Sequence, residues 1–220
     1  MTLLPLLAVI LAAIAPGLLW LVFFLRTDRH PEPKALILYA FGLGMLAAIP
    51  IVALQFATEW FAQFFKDVFF SLFTLAFIEE LFKWLAAYFA VRKRPEFDEP
   101  VDAMIYLVTA AMGLATIENF FVLSHLLARG GTESVGALFS IAVLRFVGAT
   151  LLHAISSGFV GYFWARGKLA KGLVVATVVH GIFNYLIMTF QSQNLLLVPT
   201  LFLVGASIVV FREFEILGSK

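Results

Sequence analysis

The run FIEELFKW, residues 77–84, sets Glu79, Glu80 and Lys83 inside a stretch that otherwise has the composition of a membrane-spanning helix. One ionised side chain at the centre of such a helix costs about 2.5–3.5 kcal/mol on insertion scales. Three of them so close together demand either mutual neutralisation, with help from other helices, or chemistry.

The rest of the chain supports the membrane reading. Its 220 residues are 62% hydrophobic and 13% charged, with a mean hydropathy of +1.00, whereas soluble domains average about 25% charged residues. The expected fold is an all-α polytopic membrane bundle of about seven transmembrane helices, forming one integral membrane domain over 1–220. A net charge of +1 gives no nucleic-acid signal, and the lack of cysteine excludes disulfides, thiol catalysis and cysteine metal sites.

A span needs about 20 apolar residues. Seven stretches qualify: Leu3–Leu25, Ala35–Thr58, Asp67–Val91, Asp102–Ala128, Ser134–Ala165, Gly172–Phe190 and Leu195–Phe211. The first has no basic flank and too long an apolar run for a signal peptide, so it reads as an uncleaved span. The loops after spans one, three and five and the C-terminal tail hold eleven basic residues, while the alternate loops hold only Lys66 and Arg129. The positive-inside rule then puts the N-terminus outside and the C-terminus in the cytoplasm of a multi-pass protein.

Strongly polar residues within the spans concentrate in spans three to six, giving a catalytic core of about 67–190. They are Glu79, Glu80 and Lys83; Glu118 and Asn119; Arg145 and His153; His180 and Asn184. Glu79 and Lys83 share a helix face, as do His180 and Asn184. Glu79 and Glu80 diverge by about 100°, so one is expected to be the reactive carboxylate and the other to be held by Lys83 or Arg145. Arg145 and His153 lie eight residues apart, about 12 Å along an α-helix; this predicts that they do not serve the same atom and that Arg145 is a structural counter-ion. At 1.5 Å per residue, Glu79, Glu118, His153 and His180 fall at similar depth, which predicts one buried cavity.

A buried carboxylate suits a general base acting on water, and a histidine can protonate a leaving amine. A histidine and an asparagine on one face can donate hydrogen bonds to an oxyanion. These are the parts of an amide hydrolase that needs no covalent nucleophile and no cofactor. Zinc stays open as an alternative, with Glu79, Glu118, His153 and His180 as ligands. A proton-coupled transporter is a further alternative, disfavoured by the short chain and the absence of an internal repeat.

The ordered pattern FIEELFKW (77–84), EPVDAMIYLVTAAMGLATIEN (99–119), Arg145 with His153, and HGIFN (180–184) resembles the PrsW intramembrane proteases, relatives of the CAAX-protease and bacteriocin-processing superfamily. The resemblance spans about half the chain. It implies a glutamic-type intramembrane endopeptidase in a prokaryotic cell membrane, acting on a single-span membrane protein, an anti-sigma factor, at its extracytoplasmic side. It also implies that Glu79, with Glu80 beside it, activates water, and that His180 and Asn184 form the oxyanion site. Glu118 stands where the wider superfamily has a histidine, so Glu118 and His153 are both candidates for the water's second partner. Lys83, Arg145 and Asn119 are supporting residues on this reading.

Overall fold

The computed structural model describes residues 3–26, 28–65, 68–130, 135–190 and 196–218. The span limits Asp67, Ser134 and Leu195 and the charges Lys66 and Lys220 lie outside the described residues. Every regular element among the described residues is helical: α1 (Leu3–Leu25), α2 (Lys34–Phe65), α3 (Val68–Val91), α4 (Asp102–Gly130), α5 (Val135–Arg145), a π-turn (Phe146–Thr150), α6 (Leu151–Ala165), α7 (Leu169–Phe190) and α8 (Leu197–Gly218). This is an all-α polytopic membrane bundle. Six helical segments are long and apolar enough to cross a membrane, counting α5, the π-turn and α6 as one. The seventh long helix, α3, misses that criterion because Glu79, Glu80 and Lys83 sit at its centre.

Several boundaries differ from the sequence reading; α2 runs on to Phe65 rather than Thr58, and α7 begins at Leu169 rather than Gly172. The fifth span is not one α-helix but α5 and α6 joined through the π-turn. The last helix runs on to Gly218 rather than ending at Phe211. Arg212, Glu213 and Glu215 mark where the apolar stretch stops, but a helix has no need to stop there, since its backbone hydrogen bonds are internal.

Helix α4 is the core. It is buried over 72% of its span, against 28–39% for the other five, and it packs chiefly on α1, α2 and α6. Residues 101–116 are buried on every face, which suits a helix apolar all round. Small residues allow the close packing. A Cβ on Gly44 of α2 would lie 1.9 Å from the Ala110 carbonyl oxygen of α4, and one on Gly113 would lie 2.0 Å from the Phe41 carbonyl oxygen. Both obstacles are backbone, so neither can swing aside. Gly113→Ala is therefore expected to cost about 1–3 kcal/mol by overpacking. Gly42→Ala, which meets nothing within 4 Å, should change little. Thermal unfolding of the two variants in detergent checks this.

At the end of the bundle where α4 begins, Tyr106 donates to Glu32 at 2.5 Å and fastens the α1–α2 loop to α4. Burial pushes the Glu32 carboxyl up to about 8.

Candidate active site

Helices α3, α4, α6 and α7 bring their polar side chains together. Glu80 and Lys83, on adjacent turns of α3, are fully buried and bonded at 2.6 Å. The same Glu80 oxygen lies 2.7 Å from His180 Nδ1 of α7. The neighbouring Glu79 points its Oε2 at the other ring nitrogen, Nε2, at 3.5 Å. The two glutamates do diverge around α3, and the His180 imidazole bridges the divergence by meeting one at each nitrogen. Of the two partners the sequence allowed for the second carboxylate, Lys83 is the one in contact with Glu80.

Lys83 is a hub. Its ammonium lies 3.4 Å from His153 Nδ1 and donates to Ser156 Oγ at 3.2 Å. An ammonium only donates, so the His153 Nδ1 facing it is an acceptor. His153 Nε2 then carries the proton, which it gives to Glu118 Oε2 at 2.8 Å. The two imidazoles stand nearly perpendicular, with ring centroids 5.4 Å apart.

Arg145 departs from expectation. Its Nη2 lies 3.7 Å from Glu118 Oε2, the same atom that His153 contacts. The 12 Å estimate assumed a continuous α-helix. A π-turn closes i→i+5 hydrogen bonds, so it rises less per residue than an α-turn and changes which residues share a face. The length of the arginine side chain covers the remaining distance. Arg145 Nε also donates to Asn119 Oδ1, and Asn119 Nδ2 donates to the Ala13 carbonyl and to Thr150 Oγ1 at 3.3 and 3.2 Å. Trp20 of α1 braces the turn. Its indole N–H donates to the Phe146 carbonyl at 2.9 Å, and its ring stacks on Phe146 with centroids 5.1 Å apart.

Asn184 lies one turn beyond His180, half-buried and with no side-chain partner among the described residues. Two contacts escaped the sequence reading. Gln55 of α2 donates to Glu79 Oε1 at 3.4 Å; its signal was that no other polar residue lies between Tyr39 and Thr58. Ser156 accepts from Lys83 and donates to the His153 carbonyl, so its hydroxyl is engaged in positioning rather than poised as a nucleophile.

A cavity of about 410 Å³ opens between α1 and α5, lined by residues such as Leu19, Phe139 and Phe146. None of its lining residues titrates, so the chemistry belongs to the buried polar cluster. There, Glu79, His153 and His180 each offer one ligand atom, all within 4.8 Å of one another.

The chain matches, over residues 32–211, the family described as PrsW family intramembrane metalloprotease. It is 30% identical over 204 residues to Protease PrsW of Oceanobacillus iheyensis, covering 88% of this chain and 89% of the relative. Protease PrsW of Bacillus subtilis is 28% identical, with 87% and 88% covered, and that of Geobacillus kaustophilus is 27% identical, with 82% and 80% covered. No solved structure matches. A match over most of its length, carried by an all-helical bundle with a buried carboxylate–imidazole cluster, means that this chain belongs to the PrsW family of intramembrane proteases.

Proposed function

We propose that the protein hydrolyses a peptide bond of a membrane-anchored substrate by direct attack of water, with Glu79 as general base. The observation that carries this reading is the division of His180 between the two glutamates. With Nδ1–H given to Glu80, the Nε2 lone pair faces Glu79 across 3.5 Å. In the proposed sequence, water adds to the carbonyl carbon as its proton passes to Glu79. That proton moves through His180 Nε2 to the amine nitrogen as the C–N bond breaks. The unpartnered Asn184 amide, on the same face of α7 as His180, is suited to donate to the oxyanion. Gln55 holds the other oxygen of Glu79, and Lys83 fixes both imidazoles, one directly and one through Glu80.

The second reading adds a metal, and the donor set favours it. Two imidazoles and one carboxylate are the ligand types of hydrolytic zinc sites, and here their donor atoms already cluster. Formal charge points the same way. Among the described residues, Glu79, Glu80 and Glu118 face two cations, Lys83 and Arg145, which leaves the site one positive charge short. Glu79, His153 and His180 would hold the ion. The Glu80 contact to His180 Nδ1 is the kind of outer-shell carboxylate that such ligands use, while His153 would give up either its Lys83 contact or its Glu118 hydrogen bond to take the ion. A bound divalent ion supplies Lewis acidity and a more acidic water.

A cleavage assay with purified enzyme in liposomes and a single-span substrate tests both readings. Activity that withstands exhaustive chelation supports Glu79 acting on water directly. Activity lost to chelator and restored by zinc supports the metal. Cleavage absent under both conditions, in enzyme that remains folded, defeats both. We further propose that the substrate is an anti-sigma factor cut on its extracytoplasmic side. The proposed orientation has the N-terminus outside and the C-terminus in the cytoplasm, which the eleven basic residues on one side support.

A further inference from the structure

Where α2 begins and α3 ends, a cavity of about 320 Å³ is lined by Tyr39, Phe89, Ala90, Arg92, Lys93 and Arg94. Half of its lining is cationic. Basic residues at a helix C-terminus ordinarily balance the helix dipole, but that dipole amounts to only about half a negative charge. Among the described residues no carboxylate comes within ion-pair distance of these three side chains. A smaller cavity of about 150 Å³ adjoins, sharing Tyr39 and Arg94 and bringing in Glu96. With Glu96 and the dipole both set against three cations, a surplus of roughly 1.5 positive charges remains.

The pocket also has an apolar side. Tyr39 and Phe89 are each 49% exposed; a tyrosine, with its apolar ring and polar hydroxyl, settles at the level of lipid headgroups, and the phenylalanine beside it adds apolar surface. The Arg92 guanidinium rests 4.8 Å from the centre of the Phe89 ring, which orients it and reduces the entropy lost on binding an anion. The site therefore offers convergent positive charge, an aromatic wall open towards the bilayer, and an acceptor, Glu96, beside the charged chamber. Basic pockets between membrane helices are suited to lipid phosphates.

We propose that this pocket binds the phosphodiester of an anionic phospholipid, with its phosphate among Arg92, Lys93 and Arg94 and a headgroup hydroxyl donating to Glu96. One phosphodiester carries a single negative charge, which the surplus accommodates. The acyl chains leave past Tyr39 and Phe89 into the bilayer.

Native mass spectrometry of the full chain, titrated with phosphatidylglycerol or phosphatidylcholine, tests this. Wild type is expected to retain one phosphatidylglycerol in preference to phosphatidylcholine. Neutralising the pocket by Arg92→Gln, Lys93→Gln and Arg94→Gln together should weaken that retention on the order of a hundredfold. These side chains are exposed, so helicity and the unfolding temperature should hold. The comparison variant, Arg166→Gln, Lys168→Gln and Arg212→Gln, removes as many charges elsewhere at the same end of the bundle and should leave retention unchanged. Equal losses in both variants would mean that general surface charge holds the lipid, which overturns the proposal. Displacement of the lipid by an equal concentration of inorganic phosphate would overturn it too, since the site would then be one for free anions.

Discussion

Replacing Glu79 by glutamine will remove peptide cleavage while leaving the bundle folded. Glutamine keeps the side-chain shape but cannot take a proton from water. Positioned general bases contribute about 10²–10⁴-fold to rate, and a loss within or beyond that range is expected. Stability should barely move, because among the described residues the Glu79 carboxylate has no ion-pair partner closer than the 3.5 Å to His180. Glu80→Gln is the informative contrast. It replaces the carboxylate bonded at 2.6 Å to Lys83 and 2.7 Å to His180, so it should lower the unfolding temperature as well as the rate. Cleavage rates and thermal unfolding, measured on both variants, separate the two roles. A Glu79→Gln enzyme with wild-type cleavage would remove Glu79 from the mechanism.

The second large effect is expected at Lys83. Its ammonium and the Glu80 carboxylate are both fully buried, and Lys83→Met leaves that carboxylate without its cation. Breaking such a pair from one side costs about 3–5 kcal/mol. His153 loses the donor facing its Nδ1 in the same step, so any variant that folds should also cleave poorly. The double variant Lys83→Met/Glu80→Gln removes both charges. It should regain much of the stability, as exchange of buried pairs for neutral groups often does, yet stay slow because neither imidazole is held. Chemical denaturation of the two single variants and the double variant yields the coupling energy. If the pair contributes nothing, the losses will simply add.

Much of this was legible in the sequence. A charge inside an apolar run is a loud signal, so Glu79, Glu80, Lys83, Glu118 and His153 were readily found, and helical spacing separated the two glutamates correctly. Polar residues that only complete a network were quieter. Gln55 lies only three residues from Thr58, the end of the second apolar stretch, whereas α2 continues to Phe65 and so carries Gln55 well inside the helix. The joint contact of Arg145 and His153 with Glu118 could not be read from spacing at all. It depends on a change of helix type over FVGAT, residues 146–150, and that short apolar stretch carries no proline or charge to announce it. What holds it is tertiary, in part the Trp20 indole from a helix 126 residues earlier in the chain.

That turn makes chain length itself a determinant of the site. Adding one residue within 146–150 would leave composition and hydropathy nearly untouched, and the span would still insert. The π-turn already holds one residue more than the α-turn it replaces, so it absorbs a loss more readily than a gain, and each further residue advances the helix by about 100°. Everything from Leu151 onward would then face a different direction relative to Arg145, carrying His153 off Glu118 and away from Lys83. The fifth span should therefore tolerate apolar exchanges at 147 and 149 far better than a single insertion between them.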